Sequence, residues 1–341
     1  MKKIFFILIV FLGTGISSLQ AQFDTQVSNY WAVTNYFNPG YAGQSGKLEV
    51  TGLYRMQWLG VEHAPKTGMV AGEMPFLFGG REHGGGLVLY NDQIGLFKST
   101  LISVQYAFKV KLRNGHLGIG IQGGYINESF DGTKVEIPGD DDYPISDDEA
   151  IPASLVSGKS IDGAVGLYYA AKKGYVGLSV THLIAPKLAL NENHVHEIPR
   201  TYYLTMGYNI RLNNSLLELQ PSVLLKTVEL SSFYISGDSL VEVTKGNVLK
   251  GMLKQTQVDI SLRMSYNKMF WGGVSWRKGE SMIFMLGGKF KILEVGYAYD
   301  VPVFSRIIQV SSGSHEVFVK YSMDMNFKKG TKSKHKSVRI L

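Results

Sequence analysis

Period-two alternation, repeated along almost the whole chain, limits this sequence to sheet structure. In "QVDISLRMSY" (257–266), Val258, Ile260, Leu262, Met264 and Tyr266 share one face; Asp259, Ser261, Arg263 and Ser265 share the other. After Asn267 and Lys268 the pattern resumes with Phe270, Val274 and Trp276. Tyr202, Leu204, Met206, Tyr208 and Ile210 form another such face, as do Val317, Val319, Tyr321, Met323 and Met325. Leu117, Ile119 and Ile121 alternate with Gly118, Gly120 and Gln122. About fourteen segments of around ten residues follow this rule. They run over 47–58, 67–79, 84–92, 98–112, 116–128, 161–171, 174–184, 200–212, 215–227, 255–267, 269–278, 281–290, 292–301 and 314–327.

About ten residues is the length that a tilted strand needs to cross a bilayer. The connections sort by parity. Short ones ("GREH", "RNG", "KKG", "NN", "NK" and a direct junction near Lys291) alternate with a longer set. The longer set includes "LGVEHAPK", the span 129–160, "PKLALNENHVHEIP", the span 228–254 and "PVFSRIIQVSSG". A secreted soluble β-protein has no reason to sort its loops this way. An outer-membrane barrel does, with short turns in the periplasm and long loops outside. Hydrocarbon leaves no backbone polar group unpaired, so the sheet must close. The expected fold is therefore all-β, a transmembrane up-and-down antiparallel β-barrel of about fourteen strands. Apolar side chains face lipid, and Asp259 and Arg263 face the lumen. Trp271, Trp276, Tyr266, Tyr297 and Tyr299, near ribbon ends, are expected in aromatic girdles. An even strand count places both termini in the periplasm.

The ends of the chain are of other kinds. Lys2 and Lys3, an apolar run from Ile4 to Leu12 and small residues ending at Ala21 have the layout of a secretory signal peptide. Residues 22–46 are rich in Asn, Tyr and Gly and have no clean period; they are a candidate plug or rim segment before a barrel over 47–327. Residues 328–341 form a basic tail. The net charge of +7 concentrates there, so it does not point to nucleic acid. The opposite bias, Asp140, Asp141, Asp142, Asp147, Asp148 and Glu149, lies in the longest loop and is expected outside. Without Cys there is neither disulfide nor thiolate chemistry nor a lipoprotein anchor.

Little points to catalysis. His182, His194 and His196 are close in sequence, and two in a His-x-His spacing would share a strand face as a metal pair. They lie in or beside a loop with no fixed acidic or Cys partner. No Ser has a nucleophile context. "HGGGL" opens a strand and does not cradle phosphate. The acidic loop offers oxygens to calcium but lacks the spaced ligands of a defined site. No catalytic residue, metal site or cofactor is expected, and the chain reads as a non-enzyme.

One resemblance covers the mature chain. "NYFNPGYAG" followed by "LEVTGLYRMQWLG" is similar to the opening of the PorP/SprF family of Bacteroidota outer-membrane proteins. That family shows an Asn-Pro-Ala-Tyr-Ala-Gly core and then a strand with Arg-x-Gln-Trp. Here the core is Asn38, Pro39, Gly40, Tyr41, Ala42 and Gly43, and the strand carries Arg55, Gln57 and Trp58. "VGLSVTHL" at 176, the run from Pro199 to Tyr208, "EVGYAYD" from 294, "SHEV" from 314 and the final "KSVRIL" extend the match. Gly40 in place of Ala is the one clear departure. The resemblance implies a place in the type IX secretion system and, in gliding species, in delivery of adhesins. The implied partners are periplasmic and outer-membrane secretion components, a secreted surface protein or adhesin, and outer-membrane lipid, with no nucleic acid. The motif residues are candidate partner contacts, or else a turn with a plug or rim contact. Lys332, Lys334, Lys336, Ser337, Val338, Arg339, Ile340 and Leu341 are a candidate docking tail for a periplasmic component. A porin or solute transporter is the alternative function; it needs a water-filled lumen where a scaffold tolerates a blocked one.

Overall fold

The computed structural model describes residues 25–135, 154–189, 195–212, 216–229, 233–236, 239–242, 251–252 and 255–325. Fourteen antiparallel strands form one closed barrel when the strand interrupted at Asn209 is counted once. They are β1 (Lys47–Met56), β2 (Lys66–Phe78), β3 (Arg81–Ile94), β4 (Phe97–Leu112), β5 (Gly115–Asp131), β6 (Leu155–Ala171) and β7 (Gly174–Thr181). Next come β8 (Thr201–Tyr208, continued by Ile210–Arg211), β9 (Leu217–Val228), β10 (Gln257–Tyr266) and β11 (Phe270–Arg277). The last three are β12 (Ser281–Phe290), β13 (Leu293–Val301) and β14 (Ser314–Asp324). Each strand pairs with its sequence neighbours, and β1 closes on β14 with Lys47 opposite Asp324 and Met56 opposite His315. Two small hairpins, Lys187–Ala189 with Val195–Glu197 and Phe233–Ser236 with Ser239–Glu242, lie in long loops outside the barrel sheet.

The alternation fixes which face looks where. On β10, Leu262 and Met264 are exposed, while Asp259, Ser261 and Ser265 are buried inside. The turn at Asn267–Lys268 works because both residues take the left-handed conformation (φ 53° and 55°), and Met269 N–H donates to Tyr266 O at 3.0 Å. The outer surface carries Val104, Ile121, Leu178, Leu262, Phe284 and Leu286, all exposed. Such a surface is unfavourable in water and suited to lipid. The hydrophobic core lies inside the barrel, where Val27, Tyr30, Val33, Tyr36 and Phe37 of the N-terminal segment pack against wall residues such as Leu53, Val88, Ile283 and Phe318.

Two expectations are corrected. Strands β5 and β6 run on to Asp131 and from Leu155, pairing Glu128 with Gly158 and Asp131 with Leu155. Here polar and apolar side chains mix on both faces, with Phe130 inward and Leu155 outward among Asn, Glu, Ser and Lys, and period-two reading loses its contrast. Trp271 is not in a girdle. It points inward, buried, stacked on Phe318 at 6.1 Å and edge-on to Trp31 at 4.9 Å. The termini lie outside the described residues; the two described ends, Thr25 and Met325, lie at opposite ends of the barrel. Thr25 donates to Asp92 and Gln26 to Glu280, both at the long-loop end of the barrel, whereas Met325 follows Asp324 at the short-turn end. Residues 25–46 therefore run the length of the lumen before β1 begins.

Leu262→Arg should weaken the barrel by about 2–4 kcal/mol, the cost of a cation facing mid-bilayer lipid. Leu262→Ile should be near neutral. Heat-modifiable migration on gels measures the difference. Ser261 lies under the Tyr30 hydroxyl at 3.4 Å and donates to Ser275 Oγ at 2.7 Å, so Ser261→Arg should disturb the lumenal segment and is not a mild control.

Candidate functional site

The site is the contact between residues 25–46 and the inner wall. A strand wall that alternates in and out presents every second side chain to the lumen. Arg55 of β1, Asp259 of β10, Arg277 of β11, Asp300 of β13 and Glu316 of β14 all point inward near the long-loop end, and all are buried. Arg55 Nη2 donates to Asp300 Oδ2 at 2.7 Å, and its Nη1 lies 3.4 Å from Glu316 Oε2. Arg277 forks onto Asp259, with Nε to Oδ1 at 3.2 Å and Nη2 to Oδ2 at 3.0 Å, and reaches Asp300 at 3.2 Å.

Asp259, Asp300, Glu316 and, at the edge, Glu280 outnumber the two guanidinium groups, and the segment supplies donors to the cage. Ser28 N–H donates to Glu316 Oε2 at 2.7 Å and Asn29 N–H to Oε1 at 2.6 Å. Asn29 Nδ2 adds a bond to Glu316 Oε1 at 2.8 Å. The Ser28 hydroxyl donates to Asp300 at 2.8 Å and accepts from Arg55 at 2.8 Å. Removing one member would strand buried charge, a loss of about 3–5 kcal/mol.

Below the cage the segment descends in single turns of helix. Tyr30 reaches Ser222 of β9 at 2.7 Å. Thr51 of β1 donates to Ala32 O at 3.2 Å, and Gln105 of β4 to Asn35 O at 2.7 Å. Ser179 of β7 donates to Phe37 O at 2.6 Å. Contacts on opposite walls mean that the segment fills the lumen and does not line one side. Fourteen strands spaced about 4.8 Å apart and tilted near 40° enclose a cylinder roughly 25–30 Å across, so an empty lumen would be wide.

At the short-turn end, Asn38–Gly43 makes a seat. Asn38 Nδ2 donates to Leu167 O at 3.0 Å and Leu178 O at 3.2 Å, bridging β6 and β7, and its Oδ1 accepts from Gly40 N–H at 2.9 Å. Lys109 Nζ donates to Gly40 O at 2.9 Å, and Gly43 N–H donates to Glu73 at 3.0 Å. Tyr41 meets Tyr168 edge-on at 5.0 Å. The wall must be bare here. A Cβ at Gly118 would come within 2.0 Å of Gly40 O, and one at Gly120 within 2.2 Å of Pro39 and Gly40. Gly40 is confined in the same way: a methyl there would stand 2.8 Å from Gly118 O and 2.9 Å from Gly166 O.

The sequence-predicted residues divide accordingly. Asn38, Pro39, Gly40, Ala42, Gly43, Arg55 and Gln57 are brought to the interface, with Tyr41 half-buried against Tyr168. Gln57 donates to Gln26 at 3.2 Å. Trp58 is set apart in the turn after β1, in the left-handed region (φ 50°), with its N–H donating to Ser314 at 3.1 Å. The tail residues Lys332 to Leu341 lie outside the described residues. His182 is buried 2.9 Å from Asp162; His194 lies outside the described residues, and the side chain of His196 is not described. Among the described residues no group of three His, Asp or Glu could hold a metal ion. Sequence reasoning missed Asp300, Glu316, Arg277, Lys109, Glu73 and the bare glycines. Their signal was an inward-facing charge or glycine within otherwise ordinary strands.

The model of the type IX secretion system membrane protein PorP/SprF family matches residues 19–321. The chain belongs to the PorP/SprF family. No curated protein sequence matches it significantly. Solved barrels resemble it distantly. The Pseudomonas putida toluene transporter TodX has 10% identity and a TM-score of 0.46, over 89% of this chain and 95% of that one. Haemophilus ducreyi BamA lacking POTRA domains 1–3 has 9% identity and a TM-score of 0.43, over 80% and 70%. The translocator domain of the autotransporter NalP from Neisseria meningitidis has 9% and 0.38, over 86% and 92%. None of these bears on what this PorP/SprF barrel carries or binds. Its own closed antiparallel wall, with a lipid-suited outside, makes it an outer-membrane protein of that secretion family.

Gly118→Ala and Gly120→Ala should unseat the Asn38–Gly43 turn and increase cleavage of residues 38–46 in limited proteolysis. Gly123→Ala, on the outer face with nothing within 4 Å of its Cβ, should behave as the parent.

Proposed function

We propose that this protein is a closed, non-catalytic outer-membrane scaffold of type IX secretion. In this reading it binds periplasmic ring components at its short-turn end and assists export or surface attachment of a partner protein. The observation that carries the reading is the filled lumen: residues 25–46 bond to nearly every part of the wall. A route for solutes would require this segment to leave, breaking the buried cage and the seat together. That weighs against the porin or transporter alternative, which needs an open wet channel. The motif Asn38–Gly43 with Arg55 and Gln57 acts, in this reading, by fixing the plug and thereby the shape of the barrel mouth. Long loops face the cell exterior, and short turns with the basic tail face the periplasm, where that tail docks through its charge and its apolar last residues.

Co-purification of partners with the full chain tests the scaffold reading; a barrel that isolates alone and exports nothing counts against it. Liposomes carrying the parent protein should swell little in sugar solutions. The double variant Arg55→Ala, Arg277→Ala should raise the swelling rate several-fold by loosening the plug. Fast swelling by the parent would favour the porin. For sidedness, Cys at Ser312 should label in intact cells with an impermeant maleimide, and Cys at Asn267 only after lysis; the sequence has no Cys to interfere.

A further inference from the structure

On the short-turn side of the barrel, a cavity of about 50 Å³ lies between the lumenal segment and the wall. Trp31 and Tyr41 of the segment line it, together with Tyr168, Tyr175, Gln220 and Arg263 of the wall. The Arg263 guanidinium lies 3.6 Å from the centre of the Trp31 ring, and Nε donates to Gln220 Oε1 at 2.8 Å. Its Nη1 and Nη2 have no hydrogen-bond acceptor among the described residues. The other two lumenal arginines differ: Arg55 and Arg277 are each within ion-pair distance of at least two carboxylates. Arg263 has none among the described residues, and Glu294, the acid that acts on it most strongly, lies beyond that distance. A guanidinium enclosed by aromatic rings without a counter-ion is unfavourable. Its free edge is also the group that best binds a carboxylate in two parallel hydrogen bonds. The volume exceeds that of a single water site and accommodates a carboxylate with the carbon that bears it.

We infer that the Arg263 cavity is a carboxylate-binding site at the short-turn mouth of the barrel. The guanidinium edge takes the two oxygens, and the Trp31, Tyr41 and Tyr175 rings cover the attached carbon. Trp31 belongs to the lumenal segment and Arg263 to the wall, so an occupant touches both and ties one to the other. The ligand is either a small free carboxylate or a carboxylate carried on a polypeptide that approaches from this side. The inference stands on cavity geometry and does not depend on the scaffold reading.

Isothermal titration of the full chain in detergent separates the cases. The probes are acetate, the dipeptide Ala-Leu with a free carboxylate, and the same dipeptide as its C-terminal amide. Saturable binding of acetate assigns a free small carboxylate; binding of the dipeptide acid without acetate assigns a chain-borne one. In either case Arg263→Met should weaken binding at least tenfold, and Arg263→Lys should retain part of it, with both variants checked for heat-modifiable folding. The site is overturned if neither acid binds, if the amide binds as well as the acid, or if a folded Arg263→Met variant binds as the parent does.

Discussion

Everything inside this barrel depends on two backbone N–H groups, those of Ser28 and Asn29, meeting the Glu316 carboxylate at 2.7 and 2.6 Å. An extended chain in a lumen has no partner strand of its own, so its amides must find acceptors on the wall or in water. Glu316 provides both oxygens, and Arg55 and Asp300 hold it in a lattice that also takes the Ser28 hydroxyl. The carboxylates could not be enclosed here without the two arginines to pair with. Nor could the arginines be enclosed without the carboxylates. The cage therefore requires four strands from β10 to β14, and β1, to be in register before the segment can bind. Plug docking thus depends on barrel closure, which the strand pairing of β1 with β14 provides by itself.

The other anchor is of opposite character. At the Asn38–Gly43 seat the contact is backbone against backbone, allowed by glycine on the wall at 118, 120 and 166. Charge enters only through Lys109 and Glu73, each used to pair main-chain groups. Such an anchor depends on shape. It tolerates no added methyl, yet it contains less buried charge than the cage. The long-loop end is held by electrostatics and the short-turn end by fit.

The strands were legible because outward side chains meet lipid and are apolar, while the inward face is polar wherever it does not join the core around Val33 and Phe37. That contrast fails at 127–131 and 155–160, where β5 and β6 continue with polar and apolar residues mixed on both sides. It also misplaced Trp271. A tryptophan near a strand end is equally suited to a lipid interface and to stacking on Phe318, and only the parity with Ser275 and Arg277 distinguishes the two. Residues 25–46 gave no period because their partners are spread around the wall; successive side chains meet successive strands and not a single sheet face. The Asn-Pro-Gly-Tyr-Ala-Gly motif was visible as a motif, but its seat was not. No sequence rule links Asn38 to carbonyls of Leu167 and Leu178.

The same geometry limits how the segment could move. Water entering the lumen would rehydrate the cage charges, so opening there is less costly than unpairing the same groups in a dry core. The seat gains nothing comparable, since its backbone groups already have partners and its glycine contacts are close-packed. Solvation therefore favours release from the long-loop end, with the short-turn end acting as a hinge tied to β1 through only the residues from Gln44 to Gly46. A segment freed in that direction would still be held at the short-turn mouth by Asn38 and Lys109.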